Sequence, residues 1–348
     1  MEKENLFWID CLRVLATFCV ILLHTAASIL YQYGNISNFN WWVGNIYDGI
    51  VRFCVPVFLL ISGALILPKT YSNLKEYLNK RVLRIVLPFL FWSIIYISES
   101  LFKMFRNNEI LSFEECVKYF LTQIRDGASH HLWYVYLIIG LYLVFPLISK
   151  WLKNSNFNEI KYFIIIWGIT ILAHFPIVRV FLPNIELQYF SGYIGFPILG
   201  YLFMVISCKD RKKMRLISIL LILVGTFITI FGTFILTKQK GYFVHSFYDY
   251  LSPNVTLTAV GVFLFFRYSD FNVNKIFSSV IQFFSKFSYG VYLVHVLILS
   301  YLEMGFSHLF INNHPIINIP ITSLLCFAIS TIIVWFINKL PYGKYISG

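Results

Sequence analysis

Long apolar stretches separated by short polar connections run along almost the whole chain. A helix that crosses a bilayer needs about 20 largely apolar residues, and about ten stretches approach that length. The shortest, at 254–268, would have to extend back past Pro253, or be tilted or broken. The pattern predicts an all-α polytopic membrane protein with about ten transmembrane helices. The predicted spans are 7–30, 43–66, 85–104, 132–149, 160–177, 190–207, 216–236, 254–268, 288–304 and 320–338.

Composition supports this class of protein. Hydrophobic residues make up 58% of the chain and charged residues 13%, whereas soluble proteins average roughly 45–50% and about 25%. These values exclude a secreted disulfide scaffold and a disordered chain. The first apolar stretch has the length of a span and lacks a small-residue cleavage site, so it is not read as a signal peptide. We expect one membrane domain over residues 1–348, with no appended soluble domain.

The distribution of positive charge predicts the orientation in the membrane. The 28 Lys and Arg residues against 16 Asp and Glu give a net charge of +12. Cytoplasmic connections of membrane proteins carry an excess of Lys and Arg. If the N-terminus is cytoplasmic, the basic groups at 68–84 and 209–215 fall on that side together with Lys339 and Lys344. We therefore expect both termini to be cytoplasmic, and the positive charge gives no reason to expect a nucleic-acid partner.

The first predicted span carries three polar side chains on one helical face. Asp10, Arg13 and His24 align in a stripe at about 3.6 residues per turn, with Arg13 and His24 about 16 Å apart along the axis. An ionisable group at membrane depth costs at least about 2.5–3.5 kcal/mol, so the stripe is expected to line a polar path or a site. The alternatives are an interfacial Asp10–Arg13 pair and, for His24, a structural hydrogen-bonded histidine.

The second predicted span places two charges at a similar depth. Asp48 and Arg52 are one helical turn apart near its outer end, and Arg52 is expected at the level of His24. A base and a guanidinium at one level indicate a site. An ion pair within the helix explains both charges almost as well.

Two arginines stand where the chain enters the third predicted span. Arg81 and Arg84 are one helical turn apart, so both guanidinium groups can face one anion, and arginine binds phosphate in a bidentate manner. The alternative is an ordinary group of topology charges beside anionic lipid headgroups.

Two later spans carry polar groups that could join a site. His131 opens the fourth span, where the neighbouring Trp133 and Tyr134 are expected interface anchors. In the ninth span Ser288, Tyr292 and His295 recur at i, i+4 and i+7 and form one polar face.

Five groups of residues follow one another along the chain. They are Asp10-x-x-Arg13 with His24, Val55-Pro56-Val57-Phe58 with Ile61-Ser62-Gly63, Arg81-x-x-Arg84 with Pro88, His131-Leu132-Trp133-Tyr134, and Phe287-Ser288-Tyr289-Gly290-Val291-Tyr292-Leu293-Val294-His295. In this order they resemble the motifs of the acyltransferase 3 family of integral membrane acyltransferases. The opening Phe7-Trp8-Ile9-Asp10-x-Leu12-Arg13 looks closest to the enterobacterial common antigen O-acetyltransferase branch.

The resemblance implies transfer of an acyl group, usually acetyl, from cytoplasmic acyl-coenzyme A to a hydroxyl of a surface polysaccharide or lipid-linked glycan. It implies that His24 is catalytic, supported by Asp10 and Arg13. It also implies that Arg81 and Arg84 contact the coenzyme A phosphates, and we place Ser62 with them. Asp48, Arg52, His131, Tyr292 and His295 remain candidates for contacting the acceptor or stabilising an oxyanion, and no metal is expected.

The alternative from another functional class is a glycan exporter or flippase whose polar stripe lines a permeation path. Such a transporter should show inverted repeats or paired broken helices, and the sequence shows neither. The expected location is the cytoplasmic membrane of a bacterium. The expected partners are acyl-coenzyme A, the glycan acceptor and the lipid bilayer, and a homo-oligomer is left open.

Overall fold

The structure, a computed structural model, describes residues 6–69, 71, 73–109, 111–175, 178, 192–206, 208–310 and 314–348. Within these ranges the regular structure is helical and no strand occurs. Short 3-10 turns at His130–Leu132, Ser246–Tyr248 and Gly343–Tyr345 supplement the α-helices. The α-helices are α1 (Phe7–Leu30), α2 (Asn38–Val51), α3 (Cys54–Ile66), α4 (Leu74–Arg106), α5 (Phe113–Asp126), α6 (Trp133–Asn154), α7 (Phe157–Ala173), α8 (Gly195–Val205), α9 (Arg211–Lys240), α10 (Pro253–Tyr268), α11 (Lys275–Phe310) and α12 (Pro315–Lys339).

Eight helical segments within the described ranges are long and apolar enough to cross a membrane. The chain is therefore an all-α polytopic membrane protein, as the sequence predicted. The predicted spans 160–177 and 190–207 overlap the shorter helices α7 and α8. Residues 176–177, 190–191 and 207 of those two predictions lie outside the described residues. The orientation of the termini stays a prediction.

The second predicted span is broken into two helices, and proline is the reason. Helix α2 ends at Val51 and α3 begins at Cys54, with Arg52 at the break. Pro56 has no N–H to donate to the carbonyl of Arg52, and its ring would clash with that carbonyl in a continuous helix. In the restarted helix Pro56 falls within the first turn, where proline is tolerated. The break therefore lies at the residue that carries the guanidinium.

Helix α1 lies at the centre of the packing. It contacts α2, α3, α10, α11 and α12, and its residues Leu12, Ala16, Ile21 and Ala26 are fully buried. Because α1 is surrounded on so many sides, its polar side chains must find partners on neighbouring helices or line an internal space. The stripe predicted from the sequence therefore faces protein.

Helices α3 and α8 approach so closely that glycine is required at their crossing. A Cβ added at Gly63 would lie 1.9 Å from the carbonyl oxygen of Pro197, and one at Gly200 would lie 2.1 Å from that of Leu60. Small residues allow membrane helices to pack backbone against backbone. This contact fixes α3, which carries Ser62, against the body of the protein.

Candidate active site

Four histidines from three separate elements meet beside the C-terminal half of α1. Around His24, the ring centroids of His130, His295 and His131 lie at 5.0, 5.3 and 6.4 Å. The rings of His131 and His295 are 5.0 Å apart. We call these four residues the histidine cluster. Among the described residues, no group of three or more His, Cys, Asp or Glu side chains has the geometry of a metal site.

His24 and His130 form the more accessible side of the histidine cluster. His24 is half-buried and His130 is exposed. The Nδ1 atom of His24 lies 3.4 Å from Nε2 of His130, a long and therefore weak hydrogen bond. A substrate hydroxyl can displace it at little cost. The Nδ1 edge of His24 is thus the edge that a ligand reaches from the His130 side.

His131 is buried, and both of its ring nitrogens have partners. Its Nε2 lies 3.4 Å from the carbonyl oxygen of Leu293, and its Nδ1 lies 3.0 Å from Oγ of Ser129. Since a carbonyl oxygen only accepts, Nε2 donates to Leu293 and Nδ1 accepts from the Ser129 hydroxyl. His131 therefore ties the short turn His130–Leu132 to α11. His131 was a candidate site residue from the sequence, and in the structure both of its ring nitrogens are used in hydrogen bonds that hold this turn in place.

His295 differs from His131 because one of its nitrogens has no partner. Its Nδ1 donates to the carbonyl oxygen of Tyr292 over 2.6 Å, which leaves Nε2 as an acceptor. The side chain is fully buried, and Nε2 forms no hydrogen bond with any residue that the structure describes. Buried polar atoms in native proteins are nearly always paired, and this nitrogen also lies in the histidine cluster, so it is a candidate for a role in the site.

Two tyrosines hold the elements of the histidine cluster together. The hydroxyl of Tyr292 donates to the backbone carbonyl of His131. The hydroxyl of Tyr96, on α4, donates to the carbonyl of Leu293 and accepts from the backbone N–H of Leu297, each over 3.0 Å. The Tyr292 hydroxyl is thus already engaged, so its role is to anchor the histidine turn on α11.

Arg52 forms a bidentate ion pair with Asp48 at the break between α2 and α3. Its Nε and Nη2 atoms lie 2.5 and 2.6 Å from the two carboxylate oxygens, and Asp48 is fully buried. The guanidinium also lies over the ring of Tyr248, 4.2 Å from its centroid. Arg52 is within electrostatic range of His24. The structure therefore contains the Asp48–Arg52 ion pair that the sequence offered as the alternative, and a joint role of His24 and Arg52 in one site stays a prediction.

The other end of the polar stripe on α1 is a three-residue network with α11. Nη1 of Arg13 donates to Oδ1 of Asp10 over 3.3 Å and to Oγ of Ser285 over 2.8 Å. The Ser285 hydroxyl donates to Oδ1 of Asp10 over 2.6 Å. We call these residues the Asp10–Arg13–Ser285 network. Because it links two helices, it is more than the interfacial pair considered from sequence.

The two arginines on α4 differ in their surroundings. Arg81 is half-buried and Arg84 is exposed. Tyr142, on α6, is within electrostatic range of both Arg81 and Arg13, and its hydroxyl lies 3.5 Å from Oγ of Ser62. Within the described ranges, neither Arg81 nor Arg84 forms an ion pair with a carboxylate. Tyr142 therefore contacts Ser62 and lies within electrostatic range of one arginine on α4 and one on α1.

Sequence reasoning missed three residues of this arrangement: His130, Ser285 and Tyr142. His130 directly precedes His131 and lies closer to His24. Ser285 is three residues before Ser288, so the polar face of the ninth span could have been extended by one turn. Tyr142 has no such signal, because a tyrosine in an aromatic-rich span looks like core.

The fold and the site together define a polytopic membrane protein with a histidine-centred site on its first helix and arginines at that helix's other end. The chain belongs to the acyltransferase 3 family, since the family model described as an acyltransferase domain matches residues 6–337. It is therefore a multi-pass membrane acyltransferase. No curated protein and no solved structure matches the chain. The narrower resemblance to the enterobacterial common antigen branch receives no support from these comparisons.

Proposed function

We propose that this protein is an O-acyltransferase of a bacterial cytoplasmic membrane that moves an acetyl group from acetyl-coenzyme A to a glycan hydroxyl. The acceptor would be a surface polysaccharide or a lipid-linked oligosaccharide. Membership of the family supports acyl transfer. The identities of the acyl donor, of the acceptor and of the membrane are our proposal.

The observation that carries the proposal is the division of one polar stripe into two chemically different ends. Arg13 lies in a charged network, and His24 lies among the imidazole rings of the histidine cluster. Eleven residues of helix separate them by about 16 Å. Such an arrangement suits a donor that is anionic at one end and reactive at the other.

The arginine side fits the chemistry of coenzyme A. Phosphate groups need cations that are not already neutralised, and Arg81 and Arg84 have no carboxylate partner within the described residues. Arg81 is half-buried and lies within electrostatic range of Tyr142, so in the proposed function it binds a phosphate at the entrance while the thin pantetheine arm continues inward. Ser62 and Tyr142 offer hydroxyl groups to the amides of that arm.

The histidine side fits general-base catalysis of acyl transfer. Nδ1 of His24 accepts the proton of the acceptor hydroxyl as its oxygen attacks the thioester carbonyl carbon. A C–O bond forms, the C–S bond breaks, and the proton passes from the imidazolium to the leaving thiolate. Arg52 uses Nε and Nη2 toward Asp48, so Nη1 is left to donate to the developing oxyanion.

The test is acetyl transfer by the purified protein reconstituted in lipid vesicles. Radiolabelled acetyl-coenzyme A and a lipid-linked oligosaccharide are supplied, and labelled glycan is measured with and without each substrate. We expect one molecule of free coenzyme A to be released for each labelled acetyl group that appears in the glycan. Movement of glycan across the vesicle membrane, with neither binding nor hydrolysis of acetyl-coenzyme A, would favour the exporter and contradict the proposal. Mass spectrometry of surface glycans from cells with and without the gene identifies the modified sugar.

A further inference from the structure

The unpartnered Nε2 atom of His295 is the feature that the proposed reaction leaves unused. The residue is fully buried, its Nδ1 is fixed on the Tyr292 carbonyl, and its own carbonyl accepts from Sγ of Cys326 over 3.3 Å. Nδ1 therefore carries the proton and Nε2 presents a lone pair. Leaving an acceptor unsatisfied in a buried place is unfavourable, so we expect Nε2 to accept a hydrogen bond from a neighbouring side chain.

Among the described residues, three aromatic rings contact that of His295: those of His131, Tyr292 and His24. His131 is near, but its ring nitrogens are taken by Ser129 and Leu293. Tyr292 is near, but its hydroxyl is taken by the carbonyl of His131. His24 remains, with its ring centroid 5.3 Å from that of His295. This separation allows an N–H···N hydrogen bond of about 3 Å once two nitrogens face each other.

We propose that His295 is a positioning residue that accepts a hydrogen bond at Nε2 from the Nε2–H group of His24. The inference rests on the proposed function, because it assigns how the base of that reaction is held. The bond fixes the tautomer of His24 that keeps Nδ1 free on the His130 side. It also stabilises the imidazolium formed when Nδ1 takes the acceptor's proton, in the way that the third group of a catalytic triad orients its histidine.

The decisive experiment compares two unbranched substitutions of similar size, His295→Gln and His295→Met. Glutamine keeps an acceptor oxygen near the position of Nε2, and methionine offers only a weak one. We expect His295→Met to lower kcat for acetyl transfer by about tenfold or more, with KM for acetyl-coenzyme A unchanged. His295→Gln should recover most of kcat. Equal kcat in the two variants, or a normal kcat in His295→Met, would overturn the inference.

A matched control variant and a second measurement distinguish a positioning role of His295 from a purely structural role. His131→Gln changes a similarly buried histidine whose ring nitrogens both have partners. We expect this variant to have a clearly lower melting temperature and a smaller loss of kcat than His295→Met. In the folded wild-type protein, nitrogen-15 spectra of labelled histidines should show His24 protonated at Nε2, with its signals assigned by their loss in His24→Gln. Protonation of His24 at Nδ1 would contradict the inference. This spectrum can be read even if the protein transfers no acyl group, so the two proposals fail independently.

Discussion

The two ends of the polar stripe on α1 differ in charge and in exposure to solvent. At the N-terminal end, the Asp10–Arg13–Ser285 network holds full charges on side chains that are 28–29% exposed. At the other end, the histidine cluster holds imidazoles in tight contact, two of them almost completely buried. Charged, partly solvated groups are suited to binding an anion. Buried imidazoles are suited to moving a proton. In the proposed function, donor binding and acyl transfer therefore take place at opposite ends of a single helix.

The histidine cluster should show the largest effect on activity. We expect His24→Gln to reduce acetyl transfer by about 10²–10⁴-fold, because an amide cannot accept the hydroxyl proton. Binding of acetyl-coenzyme A should stay normal, since the arginines are distant from the substitution. Turnover, ligand affinity and melting temperature are measured on the same purified variant. A structural histidine would give the opposite result: a lower melting temperature and near-normal turnover per folded molecule.

The ion pair beside the histidine cluster should have the largest effect on stability. Asp48→Ala leaves the guanidinium of Arg52 deeply placed and without its carboxylate, which typically costs about 3–5 kcal/mol. We expect a strongly lowered melting temperature in detergent. The double variant Asp48→Ala, Arg52→Met should recover part of that loss, since no uncompensated charge remains. If both variants melt like the wild type, the pair contributes nothing to the fold.

The arginine end should affect donor affinity and leave turnover at saturation unchanged. A hydrogen bond to a charged group contributes roughly 1.5–3 kcal/mol, so Arg81→Ala and Arg84→Ala should each weaken acetyl-coenzyme A binding about tenfold or more. The half-buried Arg81 should give the larger loss. Lys212→Ala, at an exposed position in the basic group 209–215, is the matched control for calorimetric titration. Equal affinity for acetyl-coenzyme A in all three variants would mean that Arg81 and Arg84 only set the membrane topology and do not bind the donor.

The smallest effect is expected for Ser285→Ala. The substitution removes one hydroxyl that bridges Asp10 and Arg13, while their direct contact at 3.3 Å remains. We expect a loss of stability of about 1 kcal/mol and at most a few-fold change in donor affinity. Thermal melts and titrations of the same preparation measure both. A loss of donor affinity as large as that in Arg81→Ala would mean that the network itself holds the ligand.

Much of the fold could be predicted from the sequence because membrane insertion makes strong local demands. A span must be apolar over its whole length, since backbone groups have no water to bind in the bilayer core. The stripe of Asp10, Arg13 and His24 was also predictable, because helical periodicity alone places them on one face. The break at Arg52 follows from Pro56, but a single sequence does not show whether a span bends or breaks there.

What the sequence by itself determined is the class of protein, the polar face of α1 and the candidacy of His24, because these depend on local apolar length and helical spacing. Only the tertiary structure decided which histidine meets His24, because that depends on how α11 and the turn at residues 130–132 pack against α1. It also showed that both ring nitrogens of His131 have partners whereas Nε2 of His295 has none among the described residues, although the two histidines look alike in the sequence. The physical reason is that a hydrogen bond between distant segments depends on angles and distances that no single segment fixes.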